Sequence, residues 1–228
     1  MIIGGMQKTS TIDFPGVLSC VLFTRGCNLD CFYCHNRNLI ASSGDCLTED
    51  VVMSFLEKRR GLLEGVTISG GEPTLQQDLL IFLRKVKEMG YLVKLDTNGQ
   101  KPETVSKLCR EGLLDYAAVD LKALKEDYNK VCGEDGYAAV IETINFLQES
   151  EIGFEVRTTL YPGMTIDELR KLFAGAPRMP RWRLNYFRLP KEYKLQDEYA
   201  LKKESLTVAE IEKNLPLFLY MQPNLIWD

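Results

Sequence analysis

Residues 25–36 read Arg-Gly-Cys-Asn-Leu-Asp-Cys-Phe-Tyr-Cys-His-Asn, and they place three cysteines, Cys27, Cys31 and Cys34, in one short loop. Such a loop can curl its backbone around three thiolates and point N–H groups at them. Thiolate is a soft ligand that suits zinc and iron–sulfur clusters. A closed structural zinc site takes four ligands, whereas a cubane held by three cysteines keeps one iron open. The count of three therefore favours a [4Fe–4S] cluster.

A repeating pattern of strands and helices surrounds this loop. The apolar run 17–24 ends where the loop begins, which is typical of a buried parallel strand. Helical patterns then alternate with five more predicted strands, at 66–69, 91–95, 116–121, 154–160 and 182–189. Six strand–helix units without a linker predict one α/β domain over residues 1–228, which we interpret as an open, partial (β/α)6 barrel.

Composition excludes several classes of protein. Hydrophobic residues make up 45% of the 228 residues, and no apolar run approaches the roughly 18 residues of a membrane span. The net charge of −4 argues against binding to nucleic acid or to an anionic membrane. The first residues lack a secretory signal, and seven cysteines suggest no disulfide framework, so we expect a soluble cytoplasmic protein. The four cysteines outside the loop are expected to pack as small apolar residues: Cys20, Cys46, Cys109 and Cys132.

Polar residues follow the second to fifth predicted strands, at the barrel end where reactive groups gather. They include Gly70, Gly71 and Glu72, then Asp96, Thr97 and Asn98, then Asp120 and Lys122, and last Arg157. Paired glycines let a backbone approach a ligand closely, although they also suit a simple turn. A buried aspartate is costly unless it is paired, so we expect Asp96 and Asp120 to share a partner. Lys122 and Arg157 could bind a ligand or serve as structural ion-pair partners.

The spacing Cys-x3-Cys-x2-Cys, with Tyr33 before the last cysteine, resembles the signature of the radical S-adenosylmethionine (SAM) enzymes. In that family SAM chelates the open iron, and one electron from the reduced cluster cleaves it to methionine and a 5′-deoxyadenosyl radical. The resemblance implies that Tyr33 packs on the adenine and that Gly70, Gly71 and Glu72 hold the amino group of SAM. As a plain core aromatic, Tyr33 would also be unremarkable.

Three further stretches resemble the glycyl-radical-enzyme activating enzymes: Asp-Thr-Asn-Gly at 96–99, Asp-Leu-Lys at 120–122 and Arg-x4-Pro-Gly at 157–163. This resemblance implies a monovalent cation held by Asp96, Thr97, Asp120 and the carbonyl of Ala118. It also implies that Asn98, Lys122 and Arg157 reach the cofactor. The Asp-x-Pro-Gly stretch at 13–16 makes Asp13 a candidate contact for the target loop, although Pro-Gly also forms ordinary turns.

Two departures from that family stand out. Between Cys34 and Gly70 the only cysteine is Cys46, so no second cluster can be built. The sole histidine is His35, and the stretch at 185–188, where the pyruvate formate-lyase activator has a histidine that contacts the cofactor, reads Asn-Tyr-Phe-Arg.

These patterns predict a radical SAM activase that makes a glycyl radical on a partner enzyme, in the first place an anaerobic ribonucleoside-triphosphate reductase. A flavodoxin or ferredoxin would supply the electron. The alternatives are an activator of another glycyl radical enzyme of the pyruvate formate-lyase type, a radical SAM enzyme for a small molecule, and a noncatalytic zinc or iron–sulfur protein. The basic residues between Arg178 and Lys194 predict a solvated edge or a partner contact.

Overall fold

One eight-stranded sheet organises the chain in the computed structural model, which describes residues 1–227. The strands follow each other in space in chain order, with β1 antiparallel to β2 and every later pair parallel. Their bounds are β1 Ile3–Ser10, β2 Ser19–Thr24, β3 Gly65–Gly70, β4 Leu92–Thr97, β5 Tyr116–Asp120, β6 Gly153–Leu160, β7 Trp182–Tyr186 and β8 Leu225–Trp227.

Helices connect the parallel strands and begin at the signals expected from the sequence. The helices are α1 Glu49–Arg59, α2 Leu79–Glu88, α3 Pro102–Arg110, α4 Tyr128–Cys132, α5 Tyr137–Glu149, α6 Ile166–Gly175, α7 Glu198–Leu201 and α8 Val208–Met221. Thr165 and Thr207 form capping boxes with the glutamates three residues later. Val51 of α1 faces outward, and its side chain is 52% exposed. None of the described helices is long and apolar enough to cross a membrane.

The sheet curls into a partial barrel that stays open, because β1 and β8 are its two edges and do not pair with each other among the described residues. The predicted fold class is confirmed, with two strands more than the sequence predicted. Most residues of the edge strand β1 are half-buried or exposed, and β8 has only three residues. Neither strand therefore shows an apolar run in the sequence. The sixth predicted strand, β7, ends at Tyr186 and not at residue 189, because its ladder partner β6 ends at Leu160.

Alternation along the strands separates an apolar outer face from a charged inner face. Val93 and Leu95 of β4 belong to the main hydrophobic core together with residues of the covering helices. The intervening residues Lys94 and Asp96 contact charged side chains of β6 across β5. In the register of the sheet, Ala118 lies between Asp96 and Glu155. The inside of the barrel is therefore where the site chemistry collects.

Candidate active site

A cavity of about 470 Å³ lies at the carboxyl ends of the strands, and we call it the cofactor cavity. All predicted site residues except Glu72 and Ala118 line it. They are Asp13, Cys27, Cys31, Tyr33, Cys34, Gly70, Gly71, Asp96, Thr97, Asn98, Asp120, Lys122 and Arg157. The stretch at 185–188, which lacks the histidine of related activators, lines it too. The fold thus brings together residues that the sequence spreads over 176 positions.

Backbone hydrogen bonds hold the cysteine loop from both sides. On one side, Cys27 N donates to the carbonyl of Ile40 at 3.0 Å. On the other side, Asp30 N and Phe32 N donate to the carbonyls of Cys132 and Val131 in α4. Within the loop, Leu29 N points at Cys27 Sγ at 3.4 Å, as expected for a backbone that wraps around its sulfurs. The loop is therefore braced before any cluster binds.

The three thiols are largely shielded from water, which favours their protonated form. Burial raises the pKa of Cys27 to about 12 and raises the pKa of Cys34. The pKa of Cys31 is also raised, first by a hydrogen bond with Cys132 and then by burial. Cys132 therefore lies beside the cysteine loop, although its position in the sequence did not indicate this. A metal that binds these thiols must displace their protons.

The Gly70–Gly71 pair lets β3 pass close to the cysteine loop. A Cβ atom on Gly71 would lie 2.2 Å from the carbonyl oxygen of Gly26, and one on Gly70 would lie 2.3 Å from the backbone nitrogen of Thr24. Glu72 N donates to that same Gly26 carbonyl at 2.7 Å. The close approach of two backbones, and not only a turn, thus requires glycine here.

Glu72 does not point into the cofactor cavity. Its side chain is fully buried, and its carboxylate accepts hydrogen bonds from the backbone and hydroxyl of Thr74, the hydroxyl of Thr97 and the backbone of Asn98. Burial raises the pKa of Glu72 above its usual range, although these four donors favour the charged form. In this structure Glu72 ties the exits of β3 and β4 together, and its contact with the amino group of SAM stays a prediction.

Asp96 and Asp120 share Arg157, as expected for two aspartates at neighbouring strand ends. The Arg157 guanidinium donates to Asp96 Oδ2 through one nitrogen and to Asp120 Oδ1 through Nε, both at 2.9 Å. Lys94 Nζ contacts Asp96 Oδ1 at 2.5 Å, and Lys122 Nζ contacts Asp120 Oδ2 at 2.9 Å. We call these five residues the carboxylate cluster. Their cations outweigh burial and hold the pKa of Asp120 at about 2 and that of Asp96 below its usual range.

The predicted ligands do not form an open cation site in this structure. Each of the four carboxylate oxygens already accepts a hydrogen bond from a protein cation. The Thr97 hydroxyl donates to Glu72 and accepts from Gly99 N, so it is also engaged. The positive charge that two adjacent carboxylates require is supplied by Arg157. Ala118, whose carbonyl is the remaining predicted ligand, lies in the central strand β5 and is paired with both β4 and β6.

Tyr33 forms an aromatic wall of the cofactor cavity. Its ring stacks on Tyr161, with ring centroids 5.5 Å apart and an angle of 17° between the planes. Its buried hydroxyl has no hydrogen-bond partner among residues 1–227. Asn98 on the opposite side donates to Asn28 of the cysteine loop at 2.8 Å. The cavity thus offers a flat apolar surface and a polar wall, which suits a nucleoside.

A second cavity of about 770 Å³, the lateral cavity, shares Asp13, Arg157, Asn185, Tyr186 and Arg188 with the first. Asp13 lies at the junction of the two cavities, and its carboxylate accepts a hydrogen bond from the hydroxyl of Ser10. The two cavities therefore adjoin each other.

The basic stretch 178–194 does not form one edge. Arg181 and Arg183 turn onto the buried Glu155 in the lateral cavity, with Nε–Oε2 distances of 3.0 and 3.8 Å. Lys194 pairs with Asp30 of the cysteine loop. Arg188 is exposed and lines both cavities.

Sequence reasoning missed Lys94 and Glu155, the two charged residues deepest in the barrel. Lys94 is 1% exposed and Glu155 is 3% exposed. The signal was present, because Lys94 stands two residues before Asp96 and Glu155 two residues before Arg157. Residues two apart in a strand lie on the same face, so Lys94 shares a face with Asp96, and Glu155 shares a face with Arg157.

The fold and this site are those of the radical SAM enzymes. The profile of the Radical SAM superfamily matches residues 21–174, so the chain belongs to that superfamily. The family implies a [4Fe–4S] cluster and SAM, and the three shielded thiols beside a cavity with an aromatic wall fit both groups.

Two relatives in sequence and one solved structure are similar to this chain. The chain is 35% identical over 173 residues to a protein of Methanocaldococcus jannaschii whose name proposes a glycyl-radical enzyme activating enzyme, covering 73% of this chain and 71% of the relative. It is 29% identical over 176 residues to the pyruvate formate-lyase-activating enzyme of Streptococcus mutans, covering 72% of this chain and 66% of that enzyme. The crystal structure of Streptococcus suis SuiB superposes with a TM-score of 0.70 at 18% identity. That match covers 91% of this chain and about half of SuiB, 48%, and shows a shared fold.

Proposed function

We propose that this chain is a glycyl-radical-enzyme activating enzyme. Cys27, Cys31 and Cys34 would bind the [4Fe–4S] cluster, and SAM would bind in the cofactor cavity. When bound, the cluster would pass one electron from a donor of the flavodoxin or ferredoxin type to SAM, whose C–S bond would break to give methionine and a 5′-deoxyadenosyl radical. A glycine Cα of the partner would then lose one hydrogen atom to that radical, which would give 5′-deoxyadenosine and a glycyl radical.

The residues of the chain have distinct parts in this proposal. The ammonium of Lys122 lies beside the carboxylate of Asp120. The attraction of that carboxylate outweighs burial and keeps the pKa of Lys122 well above its usual range. Lys122 would therefore stay charged and could bind the SAM carboxylate. Tyr33 would pack against the adenine. Gly70 and Gly71 would offer backbone groups to the amino group, and Asn98 lines the same wall.

The observation that carries the proposal is the lateral cavity that adjoins the cofactor cavity. A protein substrate must bring a loop to the cofactor from outside, and a second cavity beside the first gives such a loop a place to bind. The lateral cavity opens beside Asp13 and shares five lining residues with the cofactor cavity. Similarity to the two activating enzymes supports the same choice. Our first candidate for the partner is an anaerobic ribonucleoside-triphosphate reductase, and the second is an enzyme of the pyruvate formate-lyase type.

The decisive experiment is electron paramagnetic resonance of the anaerobically reconstituted and reduced protein, mixed with SAM and each candidate partner. The proposal expects a glycyl radical signal with one partner and no such signal when the target glycine of that partner is alanine. SAM cleavage without a glycyl radical on any partner would favour a small-molecule substrate. Zinc in place of iron, with no SAM binding, would favour the noncatalytic alternative.

Asp13→Ala sharpens this test because Asp13 lies between the cavities. Loss of one charge-assisted hydrogen bond to the target loop should lower partner binding by about tenfold to a hundredfold. The glycyl radical yield should therefore fall more than partner-free cleavage of SAM. Asp45→Ala, which removes an exposed carboxylate outside both cavities, is the control. Equal loss of both activities would assign Asp13 to the cofactor site or to the fold.

A further inference from the structure

The buried ammonium of Lys94 has no part in the proposed chemistry, yet it lies at the centre of the barrel. It is 1% exposed, contacts Asp96 at 2.5 Å and lies 4.0 Å from Glu155. An ammonium in this environment is costly unless carboxylates surround it. The register of the sheet explains how it fits, because the small Ala118 stands between Asp96 and Glu155.

We propose that Lys94 is the fixed cation of this site and takes the place that a bound monovalent cation would occupy beside Asp96. The inference rests on the proposed function only in taking SAM as the ligand of the cofactor cavity. It predicts that SAM binding by this chain needs neither sodium nor potassium.

The hydrogen-bond inventory of the expected ligands supports this inference. A hard cation needs several free oxygen lone pairs around it. The oxygens of Asp96 and Asp120 accept from Lys94, Arg157 and Lys122, and the Thr97 hydroxyl is engaged by Glu72 and Gly99. Each carboxylate oxygen keeps a second lone pair, but Lys94, Lys122 and Arg157 already bring three positive charges to the two aspartates, so a further cation beside Asp96 would be repelled.

Lys94 would act as a positioning residue. It lines the lateral cavity and not the cofactor cavity, so its effect must pass through Asp96 to Arg157, which lines both. Removing its charge would leave Asp96 with Arg157 as its only close cation. The guanidinium would then shift toward Asp96 and away from Asp120 and Lys122, which line the cofactor cavity.

The test compares salts at equal ionic strength. SAM binding to the cluster-loaded wild-type protein is measured by isothermal titration calorimetry in sodium chloride, potassium chloride and tetramethylammonium chloride. The proposal expects dissociation constants within about twofold of each other. Line broadening in ²³Na nuclear magnetic resonance should show no saturable sodium site, with or without SAM. An affinity that drops about tenfold in tetramethylammonium, or saturable broadening that Asp96→Asn abolishes, would overturn it.

Lys94→Met tests the positioning role, because methionine keeps most of the length of the side chain without its charge. SAM binding should weaken about tenfold in all three salts, as expected when a buried charge loses its partner. Lys87→Met is the matched control, since Lys87 pairs with Asp115 at 2.7 Å outside both cavities. Unchanged SAM affinity in Lys94→Met would overturn the proposal. If that variant does not fold, the wild-type salt series and the sodium spectra decide the question. A wild-type protein that binds no SAM would refute the proposed function, and the sodium spectra would still test Lys94.

Discussion

The cysteine loop and the carboxylate cluster face the same cavity but satisfy their polar groups in opposite ways. In the loop, backbone N–H groups brace the chain and one points at a sulfur, while the thiols keep protons that a metal must displace. In the cluster, every carboxylate oxygen is paired with a cation of the protein itself. The thiols of the loop thus have no protein cation as a partner among these contacts, whereas the carboxylates of the cluster already have three.

Replacing a cysteine of the loop should have the largest effect, the loss of the iron–sulfur cluster. Cys27→Ala, Cys31→Ala or Cys34→Ala should each reduce the iron content from about four atoms to nearly none, because a cubane needs all three thiolates. Iron and sulfide analysis with the visible absorption spectrum measures this. Cys109→Ala, outside the cofactor cavity in α3, should retain the cluster. Full iron content in any of the three loop variants would contradict the assignment.

Removing the shared cation should damage the carboxylate cluster even without cofactors. Arg157→Met leaves two adjacent carboxylates with one lysine each, and breaking a buried ion pair costs about 3–5 kcal/mol. Urea unfolding of the metal-free protein measures this loss. Arg170→Met is the control, because Arg170 pairs with Asp167 at the surface, where such a pair contributes about 0–1 kcal/mol. Equal losses in the two variants would show that the cluster contributes no more than a surface pair.

Gly71→Ala tests the support of the cysteine loop. The added methyl group would meet the Gly26 carbonyl at 2.2 Å, so β3 and the loop must move apart. Overpacking of this kind costs up to about 3 kcal/mol, and we also expect weaker retention of iron during gel filtration. Gly175→Ala, whose Cβ would meet no atom within 4 Å, should be neutral or slightly stabilising. A Gly71→Ala protein as stable as wild type would mean that the close approach is easily relaxed.

The smallest expected effect is the pH dependence of the unfolding free energy that comes from the carboxylate cluster. The folded-state pKa of Asp120, about 2, lies below the usual value of 3.8, so its charge stabilises the fold above about pH 4. That contribution, about 2 kcal/mol, is lost as the pH falls from about 4 through about 2. The difference in unfolding free energy between wild type and Asp120→Asn should shrink over this range. A constant difference between pH 6 and pH 3 would contradict the lowered pKa.

The sequence by itself determined the cysteine loop, the order of the parallel strands and the polar residues at their ends. These features are local, because the ligand spacing lies within eight residues and each strand carries its own apolar pattern. Chain order is also spatial order, because each strand pairs with the strand that precedes it in the chain. The shared partner of Asp96 and Asp120 could be expected for the same reason, since neighbouring strand exits meet at one edge.

Only the tertiary structure decided which charge pairs with which. Alternation placed Lys94 with Asp96 and Glu155 with Arg157 on one face, but their contacts across β5 depend on the register of three strands and on the small side chain of Ala118. Glu72 turned inward because the exits of β3 and β4 present four donors to it. Hydrogen bonds and ion pairs act over a few ångströms. A small change of strand register would therefore give residues that are distant in the chain different partners. The proposed role of Lys94 as the fixed cation depends on this register.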